Sequence, residues 1–157
     1  MKNKEKKILG LIGARSGSKG VPDKNIKDFN GKPLLGNIIE KAKNSKFINR
    51  LIVSTDSKNY SEIAQFYGAE VPCLRPKSLA EDFSPEIDFV KHMVNFLKNE
   101  EDYKPDIVVR MMVTPCLFKC LTFSHRFFLS STSTPAVGSS SIRIGGWWTN
   151  ALAIRSL

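Results

Sequence analysis

An eight-residue run, KILGLIGA (7–14), passes without a break into nineteen residues rich in Gly, Lys, Asn and Pro (15–33). A short apolar run closed by Gly and Ser reads as a strand buried on both faces, and such strands belong in parallel sheets. The next segment, LLGNIIEKAKN (34–44), has apolar positions at 34, 35, 38, 39 and 42, the spacing of an amphipathic helix. The pattern then repeats. RLIVS (50–54) predicts a second strand ended by Thr55 and Asp56. Residues 59–68 predict a helix with Ile63, Ala64 and Tyr67 inward and Gly68 as its stop. Glu70 to Leu74 predicts an extended piece ended by Pro76. Residues 85–99 predict a long helix with Ile87, Val90, Val94 and Leu97 on its apolar face, and DIVVRMMV (106–113) a further strand. Alternation of this kind implies an α/β sandwich with a mostly parallel sheet. Ligands in such sheets bind at the carboxyl ends of the strands, which is where the loop from Arg15 to Lys32 falls.

A chain of 157 residues suffices for one domain with a real core. No apolar run reaches the ~20 residues that a membrane span needs. Only a short apolar stretch follows the basic MKNKEKK start, too short for a signal peptide, so a cytoplasmic protein with no membrane partner is expected. Three cysteines, Cys73, Cys116 and Cys120, are too few and odd in number for a disulfide framework. Cys116 and Cys120 could be joined only by His92 and His125 as nitrogen ligands. Reduced core or loop cysteines are therefore the expectation over a zinc site, and no protein-held metal is expected. The net charge of +9 fits any polyanion, nucleic acid or nucleoside triphosphate alike. No Lys/Arg run interleaved with aromatics favours nucleic acid, which remains only as an alternative.

The composition breaks near residue 110. All fifteen acidic residues lie at or before Asp106, and residues 111–157 contain thirteen Ser or Thr. LTFSHRFFL and GGWW make that tail too apolar for a plain linker, and it has no sustained period of 2 or 3.6. A frameshifted or otherwise aberrant ending is one expectation, and a natural unusual ending is the other. The four aromatics Phe127, Phe128, Trp147 and Trp148 would expose apolar surface.

The loop GARSGSKGVPDKN (13–25) carries the candidate chemistry. Gly17 and Gly20 are expected to let the backbone turn tightly and bring N–H groups near an anion. Arg15, Lys19 and Lys24 place three positive charges within ten residues. Arg grips phosphate at two points, and Lys acts as a point charge. Pro22 stiffens the loop, and Asn25 can donate and accept at a base or ribose. Neither the Walker ending nor the G-x-G-x-x-G fingerprint is present. On composition alone this is either a polyphosphate cradle or a solvated basic loop.

IGARSGSKGVPDKNIKDFNGKPLL (12–35) resembles the opening signature of the acylneuraminate (sialic-acid-like, nonulosonic acid) cytidylyltransferase family. VSTD (53–56), GAEVPCLRPKSLAEDFS (68–84) and the strand before 110 match in the same order. The likeness covers about residues 7–112, and four ordered blocks set the solvated-loop alternative aside. It implies a three-layer Rossmann-like nucleotide-diphospho-sugar transferase fold, C-terminally incomplete here. Residues 1–112 would be the nucleotide-binding part and 113–157 an atypical tail. It also implies that CTP and an acidic sugar react with release of pyrophosphate, usually with Mg²⁺ and in a homodimer. Carried over by position, Arg15 and Lys19 would hold the triphosphate, with Gly17 and Ser18 contributing along the loop. Lys24 would stabilise charge at the α-phosphate, making Lys24 and Arg15 the catalytic candidates. Asn25, Arg75 and Ser84 would contact the nucleotide. Asp56 has two readings, a contact to nucleotide or metal and a cap on the next helix.

The resemblance also has departures. Met112 stands where a base-contacting Gln is expected, and Glu86 where a nucleotide-contacting Ser is usual. The family's metal-binding Asp residues lie beyond Asp106, after which this chain has no carboxylate side chain. The expectation is therefore a truncated or altered enzyme with weak turnover, and the alternative a non-catalytic nucleotide-binding remnant.

Overall fold

The computed structural model describes residues 6–113 together with the backbone of residues 143–144, 147–148 and 153–155. Strand β1 (Ile8–Gly13) lies at the centre of a sheet, with β2 (Arg50–Ser54) and β3 (Ile107–Met112) parallel to it on either side. Leu11 faces Ile52 on one side and Arg110 on the other, and Gly13 pairs with Ser54 and Met112. Two short strands, β4 (Arg143–Ile144) and β5 (Trp147–Trp148), form a separate antiparallel pair. A last strand, β6 (Ala153–Arg155), joins the main sheet antiparallel to β3 and completes the order β2-β1-β3-β6. No periodicity in the tail announces these three pieces, because each spans only two or three residues.

The helices fall at their expected places. They are α1 (Leu34–Lys43), α2 (Lys58–Phe66) and α3 (Glu86–Glu100). Side-chain alternation along the sheet divides the core in two. Ile12, Val53, Val109 and Met111 pack with Leu35, Ile39 and Tyr60 on the α1/α2 side. Leu9, Leu11, Ile52 and Val108 pack with Phe89, Val90, Met93 and Leu97 of α3 on the other. The result is helix, sheet and helix in three layers, as the resemblance implies. Gly36 admits close packing of α2 onto α1, since a Cβ there would lie 2.7 Å from the Tyr67 ring.

Two helix faces differ from their expected composition. On α3 the buried residues are Phe89, Val90, Met93 and Leu97, while Ile87 is 41% exposed and Val94 only half-buried. Ile87 sits in the first turn and joins neither half of the core. The spacing 89, 90, 93, 97 satisfies helical periodicity equally well and aligns with the sheet. On α2 the fully buried positions are Tyr60 and Ala64, with Ile63 and Tyr67 packed against the core edge. Among the described residues no helix is long and apolar enough to cross a membrane. Cys116, Cys120, His125 and the side chains of the tail aromatics lie outside the described residues.

Candidate active site

Strand β1 ends under the loop because its last backbone bond continues one residue further. Ala14 donates its N–H to Ser54 O at 3.0 Å. From there Ser16 is tied to the carboxyl end of β2. Its N–H donates to Asp56 Oδ1 at 2.9 Å and its hydroxyl to Asp56 Oδ2 at 2.7 Å. Asp56 thus anchors the loop and does not cap the next helix. The helix cap falls instead to Ser57, whose Oγ accepts from Tyr60 N. Further along, Asn25 is 6% exposed and donates through Nδ2 to Arg15 O at 2.9 Å. Its amide closes the loop on itself. Asp23 takes a left-handed conformation (φ 50°) and accepts from Tyr60 Oη at 3.0 Å. Burial, then the bond to Asp23, pushes the Tyr60 phenol above its ordinary pKa.

Gly17 and Gly20 were expected to supply the tight turn. Neither has a positive φ, and a Cβ at either would meet nothing within 4 Å. Gly17 centres a three-residue turn between Ser16 and Ser18, both glycines border open space, and the left-handed residue of the loop is Asp23. Ser18 donates its N–H to Ser16 O at 2.9 Å across that turn.

The cations are brought together by a residue that sequence reading did not single out. Asp82 accepts from Arg15 Nη2 at 2.6 Å and from Lys19 Nζ at 2.7 Å. Those two bonds, Lys19 first and Arg15 second, hold the Asp82 carboxyl below its usual range. Arg15 Nη1 also donates to Ala80 O at 3.2 Å. Lys24 opens a 3-10 turn (Lys24–Ile26), and its ammonium has no protein partner among the described residues. An acidic residue sixty-odd positions away from a basic loop carries no local signal, so Asp82 could be found only once the chain was folded.

Arg75 enters from the segment that follows α2. Its N–H donates to Thr55 O at 2.7 Å, its Nε to Ser54 Oγ at 3.0 Å and its Nη2 to Ser54 O at 2.7 Å. The guanidinium stacks 4.3 Å above the Phe89 ring centroid and is only 6% exposed as a residue. Burial lowers its pKa to about 10; Asp56 opposes the shift and Arg15 adds to it. It remains a cation at neutral pH. Phe89 also lies against β1, since a Cβ at Gly13 would stand 2.9 Å from Phe89 Cζ. Ser84 donates its hydroxyl to Ser78 O at 2.8 Å.

The two departures from the family pattern also have definite surroundings. Glu86 forms an ion pair with Arg110, a nearly buried cation on β3 whose Nε has no hydrogen-bond partner. A lone Arg inside DIVVRMMV was the available sequence signal for this pair. Met112 ends β3 beside Gly13 and is 39% exposed, so the position expected to read a base is open to solvent.

Among the described residues no three His, Cys, Asp or Glu side chains cluster as a metal site. The carboxylates around the loop are committed, Asp82 to two cations, Asp56 to Ser16 and Asp23 to Tyr60. The donor set therefore does not fit a carboxylate-held Mg²⁺.

The chain is similar to known proteins. N-acylneuraminate cytidylyltransferase of Escherichia coli O18:K1:H7 (strain RS218 / NMEC) is 42% identical over 97 residues, which is 62% of this chain and 23% of that protein. Pseudaminic acid cytidylyltransferase of Campylobacter jejuni subsp. jejuni serotype O:2 is 35% identical over 113 residues, 72% of this chain and 49% of that one. The chain thus spans about a quarter to a half of the length of these two relatives. The structure of CMP:2-keto-3-deoxy-manno-octonic acid synthetase complexed with CTP shares the fold, with a TM-score of 0.55 at 22% identity over 68% of this chain and 40% of that one. A family model described as cytidylyltransferase matches residues 9–121, from β1 through the basic loop to the end of β3 and beyond, and the chain belongs to that family.

Proposed function

We propose that this chain carries the nucleotide-binding part of an enzyme that couples CTP to a sialic-acid-like (nonulosonic) sugar and releases pyrophosphate. The observation that carries the reading is the convergence of Arg15 and Lys19 on one anion, Asp82, at the carboxyl end of β1. Two cations already 2.6–2.7 Å from carboxylate oxygens are placed to meet phosphate oxygens in the same way. The names of the relatives support the base and the class of sugar.

In this reading the sugar's anomeric hydroxyl attacks the α-phosphate, the bond to the β-phosphate breaks, and pyrophosphate leaves. The protein performs little covalent chemistry; it positions groups and neutralises charge. Arg15 and Lys19 hold the departing phosphates, with Gly17 and Ser18 lining the loop edge. Lys24 offers an unpaired ammonium to the α-phosphate. Asn25, Arg75 and Ser84 are the nucleotide contacts carried over from the family. Asn25 and Arg75 are buried, and each already bonds to protein.

A second reading, nucleotide binding without turnover, is favoured by one observation: no acidic side chain follows Asp106. Residues 113–157 would then be a tail that contributes no sugar site. One pair of assays on the full chain decides. Isothermal titration with CTP should give saturable binding that Arg15→Ala weakens, and pyrophosphate release with a nonulosonic acid and Mg²⁺ should be slow or absent. Absence of CTP binding would overturn both readings, and rapid release would overturn the second.

A further inference from the structure

Asp82 does more than neutralise a neighbour. Each of its two oxygens takes one cation, Arg15 at 2.6 Å and Lys19 at 2.7 Å, as two oxygens of one phosphate would. With the Arg15 bond to Ala80 O, the Ala80–Asp82 stretch is fastened across the phosphate loop at three points. On its other side the stretch is held by short local bonds, Ala80 N to Lys77 O, Ser84 Oγ to Ser78 O and Ser84 N to Glu81 O. Phe83 between them is 95% exposed and packs nothing down. The Lys19 side chain is 82% exposed. The Lys19 pair is thus open to water and the Arg15 pair partly so, with side chains 33% and 22% exposed; such pairs are weak and screened by salt, so a stronger anion can exchange with the carboxylate.

We propose that Asp82 is an internal counter-anion that competes with the pyrophosphate portion of a bound nucleotide for Arg15 and Lys19. This rests on the reading of those two cations as triphosphate ligands. A triphosphate tail carries several negative charges and displaces the single carboxylate. A nucleoside monophosphate, whose one phosphate sits by Lys24, does not meet the pair at all. Asp82 thereby lowers the affinity for a polyphosphate tail and leaves that for a monophosphate unchanged. When the α–β bond breaks, the carboxylate returns to its cations as pyrophosphate departs, so the same contact that opposes entry assists release. No covalent step involves Asp82.

The test is titration of the full chain with CTP, CMP and inorganic pyrophosphate, using wild type, Asp82→Asn and the Arg15→Ala/Lys19→Ala double variant. Asp82→Asn is expected to tighten CTP and pyrophosphate about three- to ten-fold, in line with the loss of two exposed ion pairs. CMP affinity should stay within about two-fold of wild type, since it gains nothing from two weak exposed pairs that it never meets. Unchanged or weaker CTP and pyrophosphate binding in Asp82→Asn overturns the proposal, because Asp82 would then merely support the two cations. If the double variant still loses CTP affinity in that case, the phosphate-cradle reading stands without it. If the double variant binds CTP like wild type, both fall. Asp82→Ser, which removes the charge without an amide to hydrogen-bond, must give the same sign as Asp82→Asn.

Discussion

Ser16 donates to both oxygens of Asp56, its backbone N–H at 2.9 Å and its hydroxyl at 2.7 Å. The pair fastens the start of the basic loop to the segment just after β2, forty residues away. Asp56→Ala leaves a partly buried N–H and a hydroxyl without acceptors, at a cost of about 1–3 kcal/mol. Urea denaturation should show that loss. Ser16→Ala should lose less, and the double variant less than the sum, because both changes remove the same bonds. Additive losses would mean that the two residues act separately.

Gly13 and Phe89 predict a packing conflict. A Cβ at residue 13 would stand 2.9 Å from Phe89 Cζ, inside the van der Waals limit. Gly13→Ala should destabilise by about 1–3 kcal/mol through overpacking. Adding Phe89→Leu should recover part of that loss. Phe89→Ala alone should cost about 3–5 kcal/mol and weaken CTP binding too, since the ring also supports Arg75. Thermal melts and titration on the same samples check both.

Gly17 separates folding from binding. With no positive φ and nothing within 4 Å of a Cβ, Gly17→Ala should leave stability unchanged or raise it by up to about 1 kcal/mol. If phosphate approaches the backbone there, CTP affinity should fall. Retained affinity together with retained stability would place the phosphate elsewhere on the loop.

Tyr60 gives a pH dependence. Its folded pKa lies above the unfolded value of about 10. The stability that this shift contributes is present below pH 10 and is lost as pH rises from there towards the folded value. Tyr60→Phe removes the bond to Asp23 and should cost about 1 kcal/mol at pH 8. The gap to wild type should narrow at pH 11, where wild type loses stability and the variant does not. A gap constant across that range would count against the hydrogen bond.

The order of elements was legible because it depends on local pattern. RLIVS is β2 residue for residue, and the first strand and all three helices fall within about two residues of their expected bounds. The face of α3 was not legible, because two apolar stripes fit its period and only contact with the sheet selects Phe89 and Met93 over Ile87. The cations of the cradle were legible as charges on a loop that follows a buried strand. Their partner was not, nor was the cation of β3 that pairs with Glu86.

By itself the sequence determined an alternating α/β chain with Arg15, Lys19 and Lys24 at the carboxyl end of its first strand, because hydrophobic period and loop composition act over neighbouring residues. Only the tertiary structure decided that Asp56 anchors rather than caps and that Arg75 lies buried over Phe89. It alone closed Asp82 on both Arg15 and Lys19. Those contacts join residues tens of positions apart, and they exist only after the sheet has brought the ends of β1 and β2 side by side.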